Sequence, residues 1–190
     1  MRIARPACIA ALVLLTGAAE EPAMKALPTP EIIAGLLQID VPNGWTRTAY
    51  ANTGGVDFVV AFERGANRLL VRVFGAKRSS YRTPEDFLSG PAAGTLGRAA
   101  GRKGAAKIDG RTVALFERGF PLLARVPHGS TPAKPQMGTE TFCVLPPSKD
   151  GRFIVLSYQR ESPIPDLKGT GEKAWEVFLR GVRMLPLKKK

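Results

Sequence analysis

Three pairs of short β-rich runs, each interrupted by turn-forming residues, constrain this chain more than any other feature. Val56 to Glu63 alternates with a period of two, which puts Phe58, Val60 and Phe62 on one face. After the short Gly65-Ala66-Asn67 loop, Arg68 to Phe74 returns with Leu69, Val71 and Val73 on one face. Arg72 falls on the other face with Leu70 and Phe74, a mixture that fits a sheet partly covered on its second side. Ala105 to Ile108 and Thr112 to Arg118 flank Asp109-Gly110, a strong short-range hairpin signal. Thr141 to Leu145 and Phe153 to Gln159 form a third pair across Pro146 to Arg152, with Asp150-Gly151 at the turn.

Helices are fewer. Thr83-Pro84-Glu85-Asp86 has a capping threonine, proline at the first helical position and Asp86 three residues after the cap, as in a capping box. Phe87 and Leu88 supply its apolar side, and Gly90-Pro91 ends it. Trp175, Phe178, Leu179 and Val182 fall at i, i+3, i+4 and i+7 behind a capping Thr170, with Glu176 and Arg180 as an exposed i, i+4 pair. Thr29-Pro30-Glu31 predicts a short helix through Leu37, again with threonine as cap. Leu36 to Val41 reads as a strand that ends at the Pro42-Asn43-Gly44 turn, and Trp45 after it reads as a core wedge. The Gly-, Ala- and Arg-rich residues 89 to 104 read as a mobile basic loop, and residues 120 to 140, with four prolines, as a second long loop. No repeat of fixed period appears. The expected fold is α+β: a mostly antiparallel central sheet of about six to seven strands with helices packed on its faces.

The N-terminus sets the expected compartment. Arg2 and Arg5 form a basic head, Ala7 to Leu15 is an unbroken apolar run, and the small residues Thr16 to Ala19 precede Glu20-Glu21. That order is a secretory signal peptide over 1–19, too short to span a bilayer, which takes about 20 residues. A periplasmic or secreted protein with no transmembrane span in its mature chain follows. Cys8 lies at the front of the apolar run, whereas a lipidated cysteine would follow it. Residues 20–35 then read as a tether, 36–185 as one domain and 186–190 as a basic tail. Loss of the leader leaves 171 residues, which bury roughly 70% of their unfolded surface and need no disulfide. Cys143 becomes the lone thiol, expected to be buried within its strand.

Charge is the most informative bulk property. The chain carries +12, and +10 once Arg2 and Arg5 leave. Residues 77 to 111 hold a net +5, and residues 180 to 190 another +5 without a single acid. A concentrated excess makes a field that attracts anions. The residues expected to use it are Arg98, Arg102, Lys103 and Lys107, assisted by Lys188, Lys189 and Lys190.

Catalytic patterns are missing. His128 is the only histidine and lies in the proline-rich loop, so neither a Ser-His-Asp triad nor a multi-imidazole metal site is expected. The acids are scattered and none has calcium-loop spacing. Gly94, Gly97, Gly101 and Gly104 lack the preceding strand and the Ser/Thr of a phosphate loop. The aromatics occupy core-like positions and do not interleave with the basic cluster, which argues against nucleic acid. No cofactor is expected.

The run Ile39-Asp40-Val41-Pro42-Asn43-Gly44-Trp45 resembles the strand-Pro-x-Gly-Trp opening of exported PsbP-like domains. The resemblance continues through the Gly65-Ala66-Asn67 hairpin, the Thr83-Pro84-Glu85-Asp86-Phe87 helix start, the Asp109-Gly110-Arg111 hairpin, the strand ending at Tyr158 and the last helix with Trp175 and Phe178, covering roughly residues 36 to 185. That family, which includes Mog-type and DcrB-like members, implies a central antiparallel sheet with helices on both faces and a mostly non-enzymatic accessory or binding role. No partner-binding motif of any branch is present, so no functional residue is carried over. The expected function is that of an exported, non-catalytic binding protein whose basic surface meets an anionic envelope partner, be it membrane surface, acidic polymer or acidic protein. The alternatives are a hydrolase with carboxylates assembled by the fold, or a structural subunit of an envelope complex.

Overall fold

The computed structural model describes residues 29–51, 56–95, 98–122, 137–161 and 170–186. Within them the backbone forms ten strands and two α-helices. Seven strands make one antiparallel sheet, built from β3 (Thr46–Ala51), β4 (Phe58–Arg64), β5 (Asn67–Phe74), β6 (Gly101–Ile108), β7 (Arg111–Pro121), β8 (Met137–Val144) and β9 (Phe153–Arg160). Their order across the sheet is β3-β4-β5-β9-β8-β7-β6. It is two meanders joined by one long-range seam, in which Asn67 of β5 faces Arg160 of β9 and Phe74 faces Phe153. A smaller sheet, in the order β1-β2-β10, is made of β1 (Thr29–Ile33), β2 (Leu37–Val41) and β10 (Arg183–Met184).

The three expected hairpins are present as β4–β5, β6–β7 and β8–β9. At Asp109-Gly110 both residues take positive φ (49° and 76°), as a type I′ turn requires. Helix α1 (Pro84–Ser89) has its capping box complete: the Asp86 N–H donates to the Thr83 hydroxyl, and the Thr83 N–H donates to the Asp86 carboxylate.

Alternation along β9 divides the core in two. Ile154, Leu156 and Tyr158 face the larger cluster, which α2 (Thr170–Gly181) closes with Trp175, Phe178 and Leu179, and to which the small sheet adds Ile33, Leu37 and Ile39. Phe153 and Val155 face the opposite way, into an aromatic cluster with Phe74, Phe142 and the buried Phe87 of α1. The covered second side that Arg72 suggested is therefore real. Trp45 packs, partly buried, against the larger cluster, and Cys143 is fully buried in it.

Several expectations need correction. The molecule is dominated by sheet: one face is covered by a second sheet with a single helix, the other by the six-residue α1 and a 3-10 turn at Pro91–Ala93. Residues 29–33 form no helix and no tether. They are strand β1, paired with β2 through a turn in which Ala34 and Gly35 take positive φ and the Leu36 N–H donates to the Ile33 carbonyl (2.9 Å). β3 was not foreseen. β6 begins at Gly101, so the last four residues of the supposed basic loop, 101 to 104, are strand. β7 runs on to Pro121 and β8 starts at Met137, both inside the supposed proline-rich loop. His128, the expected signal peptide over 1–19 and Lys188 to Lys190 lie outside the described residues.

Candidate functional site

Among the described residues β6 is the terminal strand of the large sheet, and only β7 pairs with it. Residues 101 to 105 and Lys107 are exposed. A register shift between Arg102 and Gly104 makes Lys103 the extra residue of a bulge. Its ammonium pairs with Glu117 of β7 and reaches the Thr141 hydroxyl of β8 (3.4 Å). Arg102, in register with Phe116, and Lys107, in register with Thr112, lie on the side of the sheet that carries α1. Among the described residues no carboxylate comes within ion-pair distance of either.

Between β6 and α2 runs a half-open groove of about 560 Å³, within the 300–1,000 Å³ typical of ligand clefts. Leu115, Trp175 and Leu179 give it apolar walls; Lys103 and Arg180 border it with Glu172 and Glu176, and the β6 strand from Gly104 to Lys107 forms its rim. Both acids stand on successive turns of one helix, and Glu176 is tied to Arg180 (3.3 Å). Cleavage by paired carboxylates needs groups flanking the bond, and here both occupy the same wall.

The predicted basic residues are thus only partly brought together. Arg102 and Lys107 share the edge strand, while Lys103 is consumed in an ion pair. Arg98 is exposed on the α1 side, where its backbone closes a small bridge with Thr95, and it borders a second cleft of about 530 Å³ with Thr95, Arg118 and Met137.

A charged cluster that the sequence did not reveal lies under that side of the sheet. Glu140 on β8 is fully buried, and its carboxylate accepts from Arg72 of β5 (2.7 Å) and from Arg118 of β7. Gln159 adds a donor (3.3 Å), Arg72 also reaches the Ser157 hydroxyl (3.3 Å), and Arg118 donates to the Gly94 carbonyl (3.2 Å). The Arg72 guanidinium lies over the Phe87 ring, 5.8 Å from its centre. Burial opposes ionisation of Glu140, but Arg72 and then Arg118 outweigh it and hold its carboxyl below the usual range. Burial also pushes the Arg72 pKa down, yet from so high a starting value that the group stays charged.

Burial pushes the Cys143 thiol up to about 12, which keeps it in the unreactive thiol form. In the β8–β9 turn, hydrogen bonds from Arg152 and Ser148 hold Asp150 at about 2. Among the described residues no three of His, Cys, Asp and Glu gather to hold a metal ion, and no helix is long and apolar enough to cross a membrane. Comparison of the chain with models of protein families and with curated proteins finds no match.

Proposed function

We propose that this is an exported, non-catalytic binding protein that meets an anionic envelope partner along β6. The observation that carries it is an exposed edge strand bearing Arg102 and Lys107, neither of them neutralised by a described acid. Arg98 contributes from the α1 side, and Lys188, Lys189 and Lys190 add three further positive charges to the chain. Lys103 belongs to the fold, through Glu117, more than to the partner. The PsbP-like pattern, from Ile39 to Trp45 onward, agrees with an accessory or binding role.

Exposed charges are screened within about 8 Å at physiological ionic strength, so binding should fall steeply with salt. The test is co-sedimentation with phosphatidylglycerol vesicles and retention on polyglutamate, each at low and high salt, for the parent chain and for an Arg102→Glu/Lys107→Glu variant. Salt-sensitive binding to at least one probe, lost in the variant, is expected. Binding indifferent to salt, or unchanged in the variant, overturns the reading.

A further inference from the structure

We infer that the partner is an acidic polypeptide segment that adds to β6 as an eighth strand of the large sheet. This rests on the reading of β6 as the contact edge and says what chemistry fills it. Adding a strand supplies main-chain hydrogen bonds for affinity, while pockets for alternate side chains provide specificity. β6 offers both. Its outer edge is unpaired among the described residues, and the groove beside it on the α2 side has the apolar walls Leu115, Trp175 and Leu179. Side chains of an added strand alternate between the two faces. Those on the α2 side enter the groove and are apolar. Those on the α1 side stand beside Arg102 and Lys107 and are acidic.

Charge also disfavours the most obvious competitor. Two copies pairing β6 to β6 about a centre at Gly104-Ala105 would set Arg102 of one opposite Lys107 of the other. Like charges directly opposite one another destabilise a pair, and basic residues on an edge are a common guard against self-association. The guard that turns away a second copy attracts an acidic strand. The bulge at Lys103 leaves Gly104 with open space where a side chain would otherwise stand, so a chain can approach there.

The probe is an alternating Val/Glu peptide of β6's own length, eight residues. It is used unmodified and in two forms N-methylated at alternate residues, one form blocking each edge. Binding that salt weakens is expected, with one N-methylated form at least tenfold weaker than the other. New hydrogen-exchange protection at amides between Arg102 and Lys107 should accompany it. Arg102→Glu/Lys107→Glu, exposed positions that leave the core intact, should weaken binding about tenfold or more. Equal binding of both N-methylated forms overturns strand addition while leaving a basic contact edge standing. Failure of the peptide, polyglutamate and anionic vesicles alike overturns both. A chain that sediments as a dimer, with β6 amides already protected, shows that a second copy holds the edge and overturns the inference.

Discussion

At Glu140 one carboxylate with no exposed surface holds two guanidiniums, on the strands to either side of the β8–β9 pair. Removing a single partner from a buried ion pair strands an uncompensated charge, which costs about 3–5 kcal/mol. Glu140→Gln should therefore lower the unfolding free energy by about that amount in urea titration. Replacing Glu140, Arg72 and Arg118 together with apolar residues of similar size should cost far less, and can even stabilise. The pH dependence has a definite sign. Glu140 has a lower pKa folded than unfolded, so its contribution is complete above about 4.3, the ordinary glutamate value, and disappears as pH falls through the folded pKa. The Gln variant should show a flatter acid limb than the parent; equal slopes would mean that Glu140 is not the group responsible. The sequence pointed to one member of this cluster but not to the cluster itself. Arg72 stood out as a charge on an apolar face, but its partner lies 68 residues away, in a stretch whose prolines suggested loop. No local pattern encodes a pairing made only when β5, β9 and β8 come together. Cys143 was readable because burial follows from its strand neighbours alone.

The two Thr-Pro-Glu segments show why elements were read unevenly. Thr83-Pro84-Glu85 is followed by Asp86, which closes the capping box, and a helix forms. Thr29-Pro30-Glu31 is followed by Ile32 and Ile33, β-branched residues with no acid to reach back, and a strand forms. The missing acid at the third helical position was the visible signal. The first half of β6, residues 101 to 104, was lost for a different reason: Gly, Arg and Lys have little strand propensity, and β7 rather than local sequence keeps them extended. Turns at element ends are sharper determinants. Gly75, just after β5, has φ +106°, and a Cβ there would lie 2.6 Å from the Gly151 carbonyl oxygen and 2.9 Å from Arg152 Cα. Gly151 itself has φ +83° but open space around the missing side chain. Gly151→Ala should then cost about 1–2 kcal/mol for left-handed strain alone. Gly75→Ala carries a backbone collision in addition, so its denaturation midpoint should fall clearly below that of Gly151→Ala. Equal midpoints would mean that the β8–β9 turn moves aside freely.

Across the whole molecule, the β5–β9 seam makes two meanders interdependent. The first, β3-β4-β5, contributes Val60, Phe62 and Leu69 to the larger cluster; the second contributes Cys143 and Leu156, and α2 closes both with Phe178. Without β9, β5 would present an unpaired edge, and the faces of β4 and β5 would lie bare to water. Residues 29–82 alone should consequently lack a cooperative unfolding transition. The intact chain should unfold in one step, because neither meander buries its own face. Its two tryptophans report from opposite sides of the seam, Trp45 before β3 and Trp175 on α2. Single-tryptophan variants Trp45→Phe and Trp175→Phe, followed by fluorescence in urea, should each give a midpoint coincident with that of far-ultraviolet circular dichroism. Pairing residues as distant as Asn67 and Arg160 requires a long loop to close first, so refolding should take milliseconds to seconds, as in other sheets dominated by non-local contacts. Separate midpoints for the two tryptophans would mean that each meander is stable by itself and that the seam is a contact between finished halves.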